Sequence, residues 1–81
     1  MRITVKLFAI VRERAGQSEL TLELPAGSAV AAASEALALQ LPAVKNLLAR
    51  AAFAINQTYA ARDAMLHDGD ELAVIPPVSG G

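Results

Sequence analysis

The sequence predicts an α+β fold: a mixed sheet of about five strands with one main helix and a short second helix. Three observations carry that reading. Residues 2–8 and 19–24 alternate apolar with polar side chains, as half-buried strands do. The run 29–41 places apolar residues at helical spacing between a turn and a proline. The later strand-like stretches, 53–55, 58–60 and 71–75, are short and set off by turn residues.

In the first strand Ile3, Val5 and Leu7 point one way, and Arg2, Thr4 and Lys6 the other. In the second, Leu20, Leu22 and Leu24 face inward, and Glu19, Thr21 and Glu23 outward. The opposite charges on the two outer faces suit cross-strand pairing. Between them, the polar connection from Val11 to Ser18 is long enough for one irregular turn of helix, so the two strands read as a hairpin.

Pro25-Ala26-Gly27 breaks the second strand, and Ser28 is placed to cap the helix that follows. Val30, Ala33, Leu37 and Leu41 share one face of that helix, and Pro42 ends it. Val44, Leu47, Leu48 and Ala51 mark a shorter second helix. Phe53-Ala54-Ile55 reads as a buried strand, Asn56-Gln57 as a turn and Thr58-Tyr59-Ala60 as a short partner strand. His67-Asp68-Gly69-Asp70 is a turn signal before the last strand, Glu71-Leu72-Ala73-Val74-Ile75, which Pro76-Pro77 stops. A hairpin followed by a helix lying across a mixed sheet is the β-grasp arrangement, with the first and last strands central and adjacent. The domain spans residues 1–75, and residues 76–81 form an extended tail.

Eighty-one residues suffice for one domain with a modest core. The net charge of −1 provides no field for nucleic acid or an acidic membrane surface. No apolar run approaches the ~20 residues a bilayer requires, and the N-terminus lacks a signal-peptide core. A cytoplasmic protein is expected. The chain has no cysteine, which excludes disulfides, thiolate zinc sites, iron–sulfur clusters and a cysteine nucleophile. With one histidine, His67, a multi-histidine metal site is excluded too, and no metal is expected.

The sequence closes with Pro76-Pro77-Val78-Ser79-Gly80-Gly81. Two final glycines occur by chance in about one chain in two hundred, so the dipeptide alone leaves a frayed tail as an alternative. The prolines favour an extended start to the tail. Six extended residues reach roughly 20 Å, and glycines make the tip the narrowest polypeptide available. Such a tip can enter a tunnel and present the Gly81 carboxylate to a buried site. That carboxylate, with a pKa of ~3.5, is a poor electrophile at neutral pH. Adenylation with ATP would make it an acyl donor, and a sulfur nucleophile would leave a thiocarboxylate. Without cysteine, and with only the thioethers of Met1 and Met65, this terminus is the evident place to carry transferable sulfur.

The segment from Leu66 to Gly81, ending PPVSGG, closely resembles the C-terminus of the small subunit of molybdopterin synthase. Ala54-Ile55-Asn56-Gln57-Thr58, Lys6-Leu7-Phe8-Ala9 and Val11-Arg12-Glu13 extend the resemblance along the chain. It implies a ubiquitin-like β-grasp sulfur carrier whose Gly81 is adenylated by an E1-like activating enzyme, which consumes ATP, and then thiocarboxylated. It further implies that residues 76–80 insert into the large synthase subunit, where sulfur passes to cyclic pyranopterin monophosphate. On this reading the small subunit binds no cofactor and is no enzyme on its own. The large subunit supplies the catalytic side chains, and two carriers join two large subunits in a heterotetramer.

Phe8 lies in phase with Arg2, Thr4 and Lys6, and an aromatic on a polar face is either capped by a neighbouring element or kept for a partner. The resemblance assigns it to a docking patch with Tyr59 and Ile75, where the family often has Leu or Phe. Arg12, beside this region, either pairs with an acidic partner residue or is a solvated loop charge. For His67, Asp68 and Asp70 a turn is a better explanation than a metal site, since the spacing is not that of a calcium loop. For Asn56 and Gln57 the alternatives are polar contacts or a turn, and a turn accounts for both adequately. Three other functions fit the sequence: a thiamine-pathway sulfur carrier, a ubiquitin-like modifier conjugated through Gly81, and a plain interaction domain.

Overall fold

The computed structural model describes residues 1–77. Alternation in the first strand becomes alternation in burial: Ile3, Val5 and Leu7 are at most 1% exposed, whereas Arg2, Thr4 and Lys6 face outward. This strand is β1 (Arg2–Leu7), followed by α1 (Ala9–Ala15), β2 (Glu19–Glu23) and α2 (Val30–Gln40). A 3-10 turn (Pro42–Val44) leads into α3 (Lys45–Leu48), and then come β3 (Ala52–Ile55), β4 (Thr58–Ala60) and β5 (Glu71–Ile75).

The strands form one mixed sheet in the order β2-β1-β5-β3-β4, with β1 and β5 parallel and all other pairs antiparallel. The first and last strands are central and adjacent, as expected of a β-grasp. One face of the sheet packs on α2, whose Val30, Ala33 and Leu37 are fully buried. Phe53, Leu48, Leu66, Leu72 and Val74 belong to the same core. Fully burying a side chain of this kind stabilises the fold by ~1.5–3 kcal/mol before chain entropy is counted.

The charge pattern of the first two strands becomes register. Arg2 lies opposite Glu23 and Lys6 opposite Glu19, with N–O separations of 2.7 and 4.0 Å. The hydrogen bond to Glu23, followed by its charge, raises the pKa of Arg2 above the ordinary arginine value. A raised folded-state pKa stabilises below the unfolded value and loses that effect only as pH climbs past the arginine range. This exposed pair therefore makes no contribution to pH dependence near neutrality.

Three details depart from the sequence reading. First, the connection between β1 and β2 is a two-turn helix rather than one irregular turn. Its single fully buried residue, Val11, anchors it to the core, and one anchor is too few to produce a visible period. Gly16 closes the helix at φ 74°, where its N–H donates to the Arg12 carbonyl at 3.0 Å. Second, Ser28 does not cap α2. Its hydroxyl donates to the Pro25 carbonyl at 2.7 Å, and Ala29 occupies the cap position. The free amides of Val30 and Ala31 donate instead to the carbonyls of Ala64 (3.0 Å) and Arg62 (2.8 Å), a tertiary solution invisible to local pattern. Third, the short second helix starts as a 3-10 turn at Pro42, so its α-helical part is only four residues.

The loop before β5 is also tied to α3: Arg62 donates to the Leu48 carbonyl at 2.7 Å and stands 4.9 Å above the Phe53 ring. Among the described residues no helix is long and apolar enough to cross a membrane.

Candidate functional site: a groove on the outer sheet face

The face of the sheet turned away from α2 is built by register. Lys6 pairs with Ala73, Ala73 with Ala54, and Ala54 with Tyr59, giving one row across four strands. The two central members of the row are alanines, so the middle of the face is low while its ends carry long side chains. The result is a groove of about 530 Å³. Ala54 and Ala73 form its floor. Phe8, Tyr59 and Ile75 supply apolar walls, and Lys6, Glu71 and Gln57 a polar rim.

Each wall has a structural cause. Phe8 follows the last β1 residue with extended backbone (φ −127°, ψ 155°) and occupies the cap position of α1. Its carbonyl accepts from Val11 and Arg12 at 3.1 and 3.3 Å, which holds the residue where strand turns into helix. Its side chain remains 42% exposed. Tyr59, on the edge strand β4, is 74% exposed. Ile75 ends β5 opposite Ala52. Because Leu7 pairs with Val74, Phe8 and Ile75 lie at the same end of the sheet, where residues 76 and 77 leave it. Pro76 is buried and Pro77 exposed. Val78, Ser79, Gly80 and Gly81 lie outside the described residues.

The polar rim is partly neutralised within the fold. Lys6 lies 3.5 Å from Glu71, both groups being partly solvated. Asn56 fixes the turn between β3 and β4: its N–H donates to the Glu71 carbonyl at 2.8 Å. Its side-chain oxygen accepts from the Glu71 amide at 2.9 Å, and its NH2 donates to Asp70 at 2.9 Å. Asn56 and Gln57 both have positive φ, 49° and 72°, as a two-residue type I′ turn requires. Asn tolerates that region; for Gln it costs ~1 kcal/mol.

Three of the four interface residues expected from the sequence, Phe8, Tyr59 and Ile75, therefore share one groove. The fourth, Arg12, is exposed on α1 and does not line it. Sequence reasoning missed the floor. Ala54 sits inside a run that reads as a buried strand and Ala73 inside the last strand, to which the sequence reading assigns no faces; the available signal was a small residue at an outward position between large inward ones. His67, Asp68 and Asp70 serve the turn before β5. Asp68 accepts from the Arg2 amide at 2.7 Å, and Asp70 from the His67 amide at 2.7 Å. Among the described residues no cluster of three or more His, Cys, Asp or Glu side chains is arranged to hold a metal. The arrangement as a whole, an apolar trough with a polar rim, suits the docking of a partner's apolar side chains.

The ThiS family model matches residues 5–81. The chain is 38% identical over 81 residues to an Arabidopsis thaliana protein named molybdopterin synthase sulfur carrier subunit, covering 100% of this chain and 84% of that one. It is 44% identical over 85 residues to the protein of the same name from Escherichia coli strain K12, covering 98% of this chain and 99% of that one. Among solved structures, SAMP1 from Haloferax volcanii superposes with a TM-score of 0.89 at 30% identity, and the match covers 100% of both chains.

Proposed function

The chain belongs to the ThiS family, and from that premise we propose that it is the sulfur carrier of molybdopterin synthase, acting through the carboxylate of Gly81. In this reading an E1-like enzyme joins the carboxylate to AMP from ATP, releasing pyrophosphate. A sulfide-level nucleophile then attacks the acyl carbon; a C–S bond forms, the C–O bond to AMP breaks, and a thiocarboxylate remains. Pro76, Pro77, Val78, Ser79 and Gly80 carry that group into the large subunit, whose side chains direct sulfur onto cyclic pyranopterin monophosphate. The groove, with Phe8, Tyr59 and Ile75, is the docking surface, and Arg12 gives a peripheral charge contact. ATP is a co-substrate of the activating enzyme, and no metal or resident cofactor is required of this chain.

The observation that carries this reading is the likeness, over essentially the whole length, to proteins named molybdopterin synthase sulfur carrier subunits. The absence of cysteine supports it, since Gly81 is then the evident carrier of transferable sulfur. The test is reconstitution: the thiocarboxylate form of this chain, mixed with the large subunit and cyclic pyranopterin monophosphate, forms the dithiolene product. Absence of product with a large subunit that works with its own carrier removes the proposal.

A second reading has its own support. The chain's likeness to SAMP1, a small archaeal modifier protein, fits conjugation of Gly81 to target lysines. The same activated carboxyl serves both chemistries. Isopeptide-linked conjugates in cells would favour the modifier, and a free thiocarboxylate the carrier.

A further inference from the structure

We propose that the side-chain amide of Gln57 is a recognition group of the groove, hydrogen-bonding a backbone peptide of the docked large subunit. The assignment rests on the docking role given above. It starts from a local conflict between sequence and conformation. Asn56 and Gln57 form the two-residue turn between paired Ile55 and Thr58, and both have positive φ. Turns of this type take Asn readily and favour Gly at the second position. Gln57, at φ 72°, stands where glycine would be unstrained.

Among the described residues nothing compensates for that choice. The Gln57 side chain is exposed, and among the described residues it makes no hydrogen bond. Its neighbour Asn56, by contrast, bonds through its backbone N–H and both ends of its amide. Backbone strain that the fold does not use is a sign of function exerted outside the molecule.

The position of the strained residue says where. Gln57 lines the same groove as Phe8, Tyr59 and Ile75. Asn56 clamps the turn to Glu71 and Asp70, so the backbone that carries the Gln57 side chain is fixed before a partner arrives, and only side-chain ordering remains to oppose binding. A primary amide offers an acceptor oxygen and two N–H donors, the complement of a main-chain peptide group. The pairing of Ile55 with Leu72 puts the turn at the Glu71 end of the groove, beside Tyr59 and opposite the end formed by Phe8 and Ile75, so a partner that fills the groove would exclude water from that bond. The charged rim groups are already engaged with each other, since Lys6 lies 3.5 Å from Glu71.

The experiment measures thermal unfolding, and binding of the full chain to the large synthase subunit by calorimetry, for wild type, Gln57→Gly and Gln57→Ala. Gln57→Gly relieves the strain and raises Tm by about 3 °C, yet weakens Kd by roughly five- to tenfold. Gln57→Ala keeps the Cβ atom and the stiffness of the turn, and weakens Kd to a similar degree. Unchanged Kd in both variants makes Gln57 a turn residue only and overturns the assignment. Weakened binding in Gln57→Gly alone also overturns it, because turn mobility rather than the amide is then responsible. If the wild-type chain does not bind the large subunit, the docking role itself falls. If the wild type binds and both variants match it, only the role of Gln57 is lost.

Discussion

Ala54 lies directly opposite Ala73 across β3 and β5, and these two methyl groups set the depth of the groove between Phe8 and Tyr59. Neither belongs to the core under α2. Their smallness shapes a surface, which makes the floor the place where docking and folding are most easily separated.

Ala73→Leu fills the trough from below without touching the buried face. The substitution is expected to shift Tm by less than about 3 °C and to weaken binding of the large subunit by roughly tenfold or more. Calorimetry on the purified pair checks it. Unchanged affinity would show that the floor is not covered in the complex.

Phe8→Asp places a charge in the apolar wall. Because Phe8 is 42% exposed and its backbone provides the α1 cap contacts, the fold should persist while binding falls by roughly tenfold or more. Parallel thermal unfolding and binding measurements separate the two effects.

Asn56→Ala removes two side-chain hydrogen bonds that pin the β3–β4 turn to β5. A loss of about 1–2 kcal/mol in folding free energy is expected, read as a lower urea midpoint at unchanged m. A smaller loss would mean that water replaces both bonds.

Arg62→Gln breaks the link to the Leu48 carbonyl and the stacking over Phe53. About 1 kcal/mol of stability should be lost with no change in partner affinity, since Arg62 does not line the groove. A change in Kd alone would place the partner on the opposite face.

Much of this fold is legible in the chain because its strands obey one rule. Ile3, Val5 and Leu7 alternate with charged or hydroxyl residues, and the opposite charges of Arg2 and Glu23 meet as their register requires. What stayed hidden depends on distant partners. Val11 alone cannot show that it anchors a helix, and Ser28 cannot show that carbonyls of Ala64 and Arg62 have taken over its capping task. At the candidate site, Phe8 announces itself as an aromatic out of phase with the core. The groove around it arises only when sheet order brings Ala54 beside Ala73, a juxtaposition of residues far apart in sequence.

The central chemical claim concerns Gly81, and the most direct measurement is the intact mass of the chain after incubation with its activating enzyme, ATP and a sulfur donor. The thiocarboxylate mechanism predicts a mass shift equal to sulfur replacing one oxygen, located to Gly81 by fragmentation and absent when that carboxyl is amidated. A chain that delivers sulfur equally well as the amide, or that acquires sulfur elsewhere, would contradict it.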